Sequence, residues 1–205
     1  MGLIDKLTVK PWLTAQRRID DLDEGGAFAL PTAKVGLWVF LGVVVSLFSL
    51  LAFAYSMRME LSDWQPLSEP WLLWLNTALL VLSSIALQWA HVSAERGNID
   101  SLWIGLLAGG GFAAAFLAGQ LIAWQQLGAA GYFAASNPAN AFFYLITALH
   151  GLHLVGGLVA WSKTTAKMWG GCEVAEVRLA VELCAVYWHF LLLVWLLLFG
   201  LLLST

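Results

Sequence analysis

From residue 34 onward the chain alternates between long apolar runs and short polar breaks. Five runs cover about 34–57, 71–93, 101–124, 139–163 and 179–203. A helix rises about 1.5 Å per residue, so each run can cross a hydrocarbon layer about 30 Å thick with some tilt. Hydrocarbon offers no partner to open N–H and C=O groups, so such runs must close their hydrogen bonds internally, as α-helices. The breaks carry residues that end helices: Pro66 and Pro70, then Glu95, Arg96, Gly97 and Asn98, then Asn137 and Pro138, then Gly170 and Gly171. The predicted fold is an all-α membrane protein, a bundle of five transmembrane helices over residues 34–205. Residues 1–33 are polar and mixed in sign, with no apolar segment of a secretory signal. They read as a cytoplasmic or interfacial N-terminal extension. Lys6 stands where a myristoylation signal places Ser or Thr.

Composition removes the soluble alternative. The 205 residues are 60% hydrophobic and 11% charged, whereas a soluble domain has about 45–50% and about 25%. The net charge of -3 is spread over the breaks and implies no nucleic-acid partner. Cys172 lies in a polar break and Cys184 inside an apolar run, a poor pairing for a disulfide, and no CxxC is present. Lys and Arg set the orientation. Lys6, Lys10, Arg17, Arg18, Lys34, Arg96, Lys163, Lys167 and Arg178 fall on one side of the predicted bundle, and Arg58 alone on the other. The expectation is a cytoplasmic N-terminus and an outer C-terminus, with an acidic outer break holding Glu60, Asp63 and Glu69.

Ionisable groups inside the spans are few, and each costs free energy in lipid unless partnered. His91 falls near the cytoplasmic end of the second span, His150 and His153 midway along the fourth, and Glu182 and His189 on the fifth. Seven residues, two helical turns, separate Glu182 from His189, so the two share a face. His91 and Glu182 fall at similar depth, which raises a hydrogen bond or pair between the second and fifth helices. His150, His153 and His189 read as helix-packing residues, with Gly151, Gly156 and Gly157 beside them allowing close helix approach. Haem ligation by His153 and His189 remains open at this point, since a bis-His site needs one histidine on each of two facing helices. So does a three-histidine metal site. Trp64, Trp71, Trp74, Trp89 and Trp103 suit a headgroup belt. Arg96, Lys163 and Lys167 are candidate contacts for lipid phosphates, beside their simpler role in orientation.

Several stretches carry a resemblance. FFYLITALHGLHLVGGLVAW (142–161), YWHFLLLVWLLLF (187–199) with Glu182 seven residues before His189, and LNTALLVLSSIALQWAH (75–91) occur in this order. Together with GLWVFL (36–41) and Ala54-Tyr55, they resemble the short, five-helix bacterial form of cytochrome c oxidase subunit III over residues 36–203. The resemblance departs at three places where that family commonly has intramembrane acids; Val44, Ala123 and Leu192 stand there instead. Any role of those acids does not carry over.

The resemblance implies an accessory subunit of a haem-copper terminal oxidase in the bacterial cytoplasmic membrane. Such a subunit has no cofactor or active site of its own, haem and copper being held by partner subunits. It packs on subunit I, shares the complex with subunit II, binds phospholipid, and supports proton uptake and stability. The subunit III-like component of nitric oxide reductases is a close relative and stays open as a reading. A bis-His membrane cytochrome b and a small-molecule transporter are the other classes; unbroken spans and the absence of an obvious inverted repeat argue against the transporter.

Overall fold

The computed structural model describes residues 32–65, 71–171 and 174–204, with backbone only over residues 174–176. The N-terminal extension to residue 31, Pro66, Glu69, Pro70 and Cys172 lie outside the described residues. Five helices are present: α1 Thr32–Met59, α2 Leu72–Glu95, α3 Ile99–Ala129, α4 Pro138–Trp169 and α5 Val174–Leu203. All five are long and apolar enough to span a membrane. The chain divides into two units, Met1–Phe40 and Leu41–Thr205, with the boundary inside α1. The first unit's described residues are the opening turns of that helix.

The helices outrun the apolar stretches at most ends; α3 runs to Ala129 and α4 to Trp169. The added turns are amphipathic or polar, such as Gln125-Gln126 and Thr164 to Lys167. Hydropathy marks the hydrocarbon boundary, while helical hydrogen bonding continues beyond it until a cap intervenes. The caps are the predicted breakers. Gly97 has φ +69° after α2, a conformation that a side chain disfavours. Asn98 then caps α3 by accepting from Ser101 N at 3.1 Å. Asn137 caps α4 through Ala139 N, with Pro138 in the first turn. The Asn137 amide also donates to Gln65 O at 2.6 Å, tying the first connector to the start of α4. In that connector Arg58 makes a two-pronged ion pair with Asp63, one contact being 2.6 Å. The guanidinium holds the exposed Asp63 carboxyl below its ordinary range.

Within the second unit, α2, α3, α4 and α5 close a ring: α2 packs on α3 and α5, and α4 packs on α3 and α5. The tightest seam is α2–α3. An added Cβ at Gly105 would stand 2.8 Å from Ala90 N and 2.9 Å from Ala86 O. At Gly109 it would strike Leu87, and at Gly119 the Asn76 amide. Lipid tails supply no hydrophobic drive between helices, so close backbone approach gains dispersion contacts that lipid would not match. Ser83 adds a hydrogen bond to Gly109 O at 2.7 Å, and buried Asn76 donates to Gln120 Oε1 at 3.3 Å. By contrast α1 buries only Leu41, Val44, Phe48 and Tyr55.

The seam generates a paired prediction. Gly105→Ala puts a methyl against backbone that cannot move without parting the helices, and overpacking of this kind costs about 1–3 kcal/mol. Gly111, six residues along α3, has nothing within 4 Å of an added Cβ. Thermal unfolding in nanodiscs is expected to show a lowered midpoint for Gly105→Ala and none for Gly111→Ala; equal midpoints would count against the seam.

Candidate functional site

The intramembrane histidines occupy different seams, and each does something different. His189, on the outer side of α5, bridges to α2. Its Nδ1 meets the Ser84 hydroxyl, and its Nε2 lies 2.9 Å from Gln88 Oε1. With the Gln88 oxygen toward Nε2, a neutral ring carries its proton on Nε2 and accepts from Ser84 at Nδ1. Further along the same antiparallel pair, Trp195 Nε1 donates to Thr77 Oγ1 at 2.9 Å. At the opposite end, Arg178 reaches Glu95 Oε1 at 3.4 Å. These contacts set the register and place His91 and Glu182 at one level, both half-buried. The recorded ion pair of His91 is with Glu95 on its own helix, Nε2 to Oε1 at 3.9 Å. The Glu95–Arg178 pair joins α2 and α5 one turn nearer the helix ends.

His150 sits in the interior of the bundle. It is wholly buried, and neither ring nitrogen has a partner among the described residues. Aromatic rings enclose it instead: Trp195 at 5.1 Å, Phe116 at 5.8 Å and Phe48 at 6.4 Å between centroids. They come from α5, α3 and α1, so His150 is a ring at the point where four helices meet. His153, one turn on, turns toward α1, with Phe48 at 5.4 Å. Its Nδ1 lies 2.7 Å from Leu149 O, a bond within its own helix rather than across a seam. The neighbouring interhelical bond comes from elsewhere: Tyr187 donates its hydroxyl to His153 O at 2.9 Å.

The glycines beside the histidines also divide. Gly157 admits Tyr187 and Trp188, whose rings would lie 2.7 and 2.9 Å from an added Cβ. Gly151 has only an ordinary contact with Leu117, and Gly156 has none, so neither allows the close approach expected of it. The residues that do so, Gly105, Gly109, Gly110 and Gly119, lie on α3. The Gly105-x-x-x-Gly109 spacing was the legible signal for them.

The described tryptophans differ in exposure. Trp71, Trp74, Trp89 and Trp169 are exposed, while Trp188 and Trp195 are buried. Trp124 and Trp161 lie between these extremes and donate across helices, to Thr147 Oγ1 at 3.1 Å and Leu106 O at 2.9 Å. Arg96, Lys163 and Lys167 are exposed around the ends of α2 and α4, with the two lysines one turn apart on one face. Of the positions where the resemblance marks missing acids, Val44 and Ala123 are buried and Leu192 is half-buried. A carboxylate at Val44 or Ala123 would be sealed from water and would need a dedicated partner. Among the described residues no three His, Cys, Asp or Glu side chains gather as a metal site would require. His153 lies against Phe48 of α1, and His189 meets Ser84 and Gln88 of α2.

Five apolar helices joined by hydrogen bonds and aromatic contacts at their seams define a multi-pass membrane bundle. The family model for cytochrome c oxidase subunit III matches residues 34–203. A probable cytochrome c oxidase subunit 3 of Nocardia farcinica is 34% identical over 128 residues, 60% of this chain and 61% of that protein. A protein of the same description from Mycobacterium bovis is 31% identical over 175 residues, 81% of this chain and 84% of that one. The cytochrome c oxidase subunit 3 of Thermostichus vulcanus is 29% identical over 179 residues, covering 82% and 85% respectively. The aligned part thus spans about three fifths of the Nocardia relative and more than four fifths of the other two. This chain belongs to the cytochrome c oxidase subunit III family.

The surroundings of His150 yield the second prediction. A buried nitrogen without a partner contributes a desolvation cost of about 1–3 kcal/mol, and phenylalanine would fill the same space without it. His150→Phe is expected to unfold at or above the temperature of the parent protein. His150→Ala, which leaves a cavity, is expected to lose about 3 kcal/mol. If Phe proves as damaging as Ala, the ring nitrogens carry a bond and the packing account of His150 fails.

Proposed function

We propose that this chain is an accessory subunit of a haem-copper terminal oxidase, without a redox centre of its own. It packs on the catalytic subunit I in a complex that also holds subunit II, where haem and copper reside in the partners. It contributes stability, bound phospholipid and sustained proton uptake to oxygen reduction in a bacterial cytoplasmic membrane. Its N-terminus faces the cytoplasm, in keeping with the distribution of Lys and Arg.

The observation that carries this reading is the family match along the whole five-helix bundle, residues 34–203. The histidines add to it. His189 has both ring nitrogens engaged by Ser84 and Gln88, and His150 is packed on three sides by aromatic rings. Side chains held in this way serve helix packing. Exposed Arg96, Lys163 and Lys167 suit lipid phosphates at the cytoplasmic face.

The test is purification from native membranes through a tag on this chain, followed by separation of the subunits and an absorption spectrum of each. The expected result is a haem-bearing large subunit that co-purifies with a colourless tagged chain. His150→Ala is expected to weaken retention of the chain without changing haem per large subunit. Haem remaining on the separated chain would overturn the reading.

A further inference from the structure

The outer side of the α2–α5 seam carries an amide that lipid cannot satisfy. Gln88 and His189 are both exposed on this side, well below the level of the Glu95–Arg178 pair. Gln88 lies two turns from Glu95, about 10 Å along the helix. That places it within the apolar run of α2, away from the helix's polar end. The Gln88 oxygen faces His189 Nε2, which leaves two amide N–H donors with no acceptor among the described residues. Acyl chains offer none, and an unpaired amide in an apolar medium costs several kcal/mol.

The surroundings have the form of a seat for a helix. Val81, Ile85, Trp89, Val92 and Leu192 line a groove of about 510 Å³ with Gln88 and His189 in its wall. Ile85 and Trp89 are 59% and 48% exposed, so they stand as ridges one turn apart beside the polar pair. Ridges flanking a groove suit the packing of another helix. A hydrogen-bonding group in the groove fixes which helix is accepted and at what height.

We propose that this groove is the docking surface for a transmembrane helix of the large, haem-bearing oxidase subunit, and that this helix presents a hydrogen-bond acceptor to the Gln88 amide. The inference rests on the accessory-subunit reading above and assigns that reading a face. Unpaired donors within the apolar run require an acceptor on the occupant, which an acyl chain does not have. The Ser84–His189–Gln88 chain holds the amide in position, since the histidine fixes the Gln88 oxygen and leaves its N–H groups turned outward.

Site-specific photo-cross-linking in the native complex tests this. The photoreactive amino acid p-benzoylphenylalanine replaces Ile85 in the groove or, in a separate strain, Val155 on the exposed face of α4. Irradiation of membranes is expected to give an adduct with a large oxidase subunit from position 85 and none above background from position 155. Gln88→Leu, with the probe kept at position 85, is expected to reduce that adduct roughly threefold, the worth of one average interhelical hydrogen bond in a bilayer. Adducts from position 85 with lipid alone, or with a second copy of this chain, would overturn the proposal. So would an adduct from position 155 only, or an undiminished yield with Gln88→Leu. Co-purification of the haem-bearing subunit is scored on the same membranes. Its absence marks failure of the accessory-subunit reading, whereas its presence with the wrong adducts marks failure of this inference alone.

Discussion

Lipid hydrocarbon gives a helix nothing to hydrogen-bond and no reason to prefer another helix over an acyl chain. Everything that holds this bundle together must therefore come from close fit and from polar atoms paired inside it. The α2–α3 seam meets the first requirement. Gly105 brings the helix backbones together at Ala86 and Ala90, and Gly119 receives the Asn76 amide. The seams between the other helices use longer bridges from tryptophan, tyrosine and histidine to hydroxyls and carbonyls. Such bonds average about 0.6 kcal/mol each in membranes, so it is their number and spacing that fix the register.

The histidines illustrate how one residue type can be used in opposite ways. His189 is exposed and has both nitrogens paired with α2, while His150 is buried and surrounded by rings. Depth alone does not separate these cases. The difference lies in direction around the helix: His150 points to the junction of α1, α3 and α5, and His189 to the seam with α2. In the same way Trp195 is both a neighbour of His150 and a donor to Thr77, so it couples the centre of the bundle to the α2–α5 seam.

Much of this was legible in the chain itself, for physical reasons. The number of helices follows from hydropathy, because a 30 Å apolar layer demands long apolar runs. Their C-terminal ends were less legible: Gln125, Gln126 and Thr164 to Lys167 continue α3 and α4 past the apolar runs, as far as the C-caps Ala130 and Gly170. The intramembrane residues were found because they are rare, but their partners were not. A sequence gives position along a helix and spacing around it, yet not which neighbour stands opposite. Thus Gly151 and Gly156 drew attention beside the histidines, although it is Gly105 and Gly109 that meet another backbone closely. Glu95 and Arg178 pair across helices because the antiparallel register of α2 and α5 brings those two ends level.

Unequal seams are the central physical claim: a tight α2–α3 pair within a closed ring, beside an α1 that buries four side chains beyond its first turns. Its most direct test is a spin-label distance distribution measured on the chain in lipid nanodiscs. One label pair would join Leu82 on α2 to Ile104 on α3, and a second would join Leu50 on α1 to Leu197 on α5, all four being exposed positions. The account predicts a narrow distribution for the first pair and a broad one for the second. Equal widths, or a broad α2–α3 distribution, would contradict it.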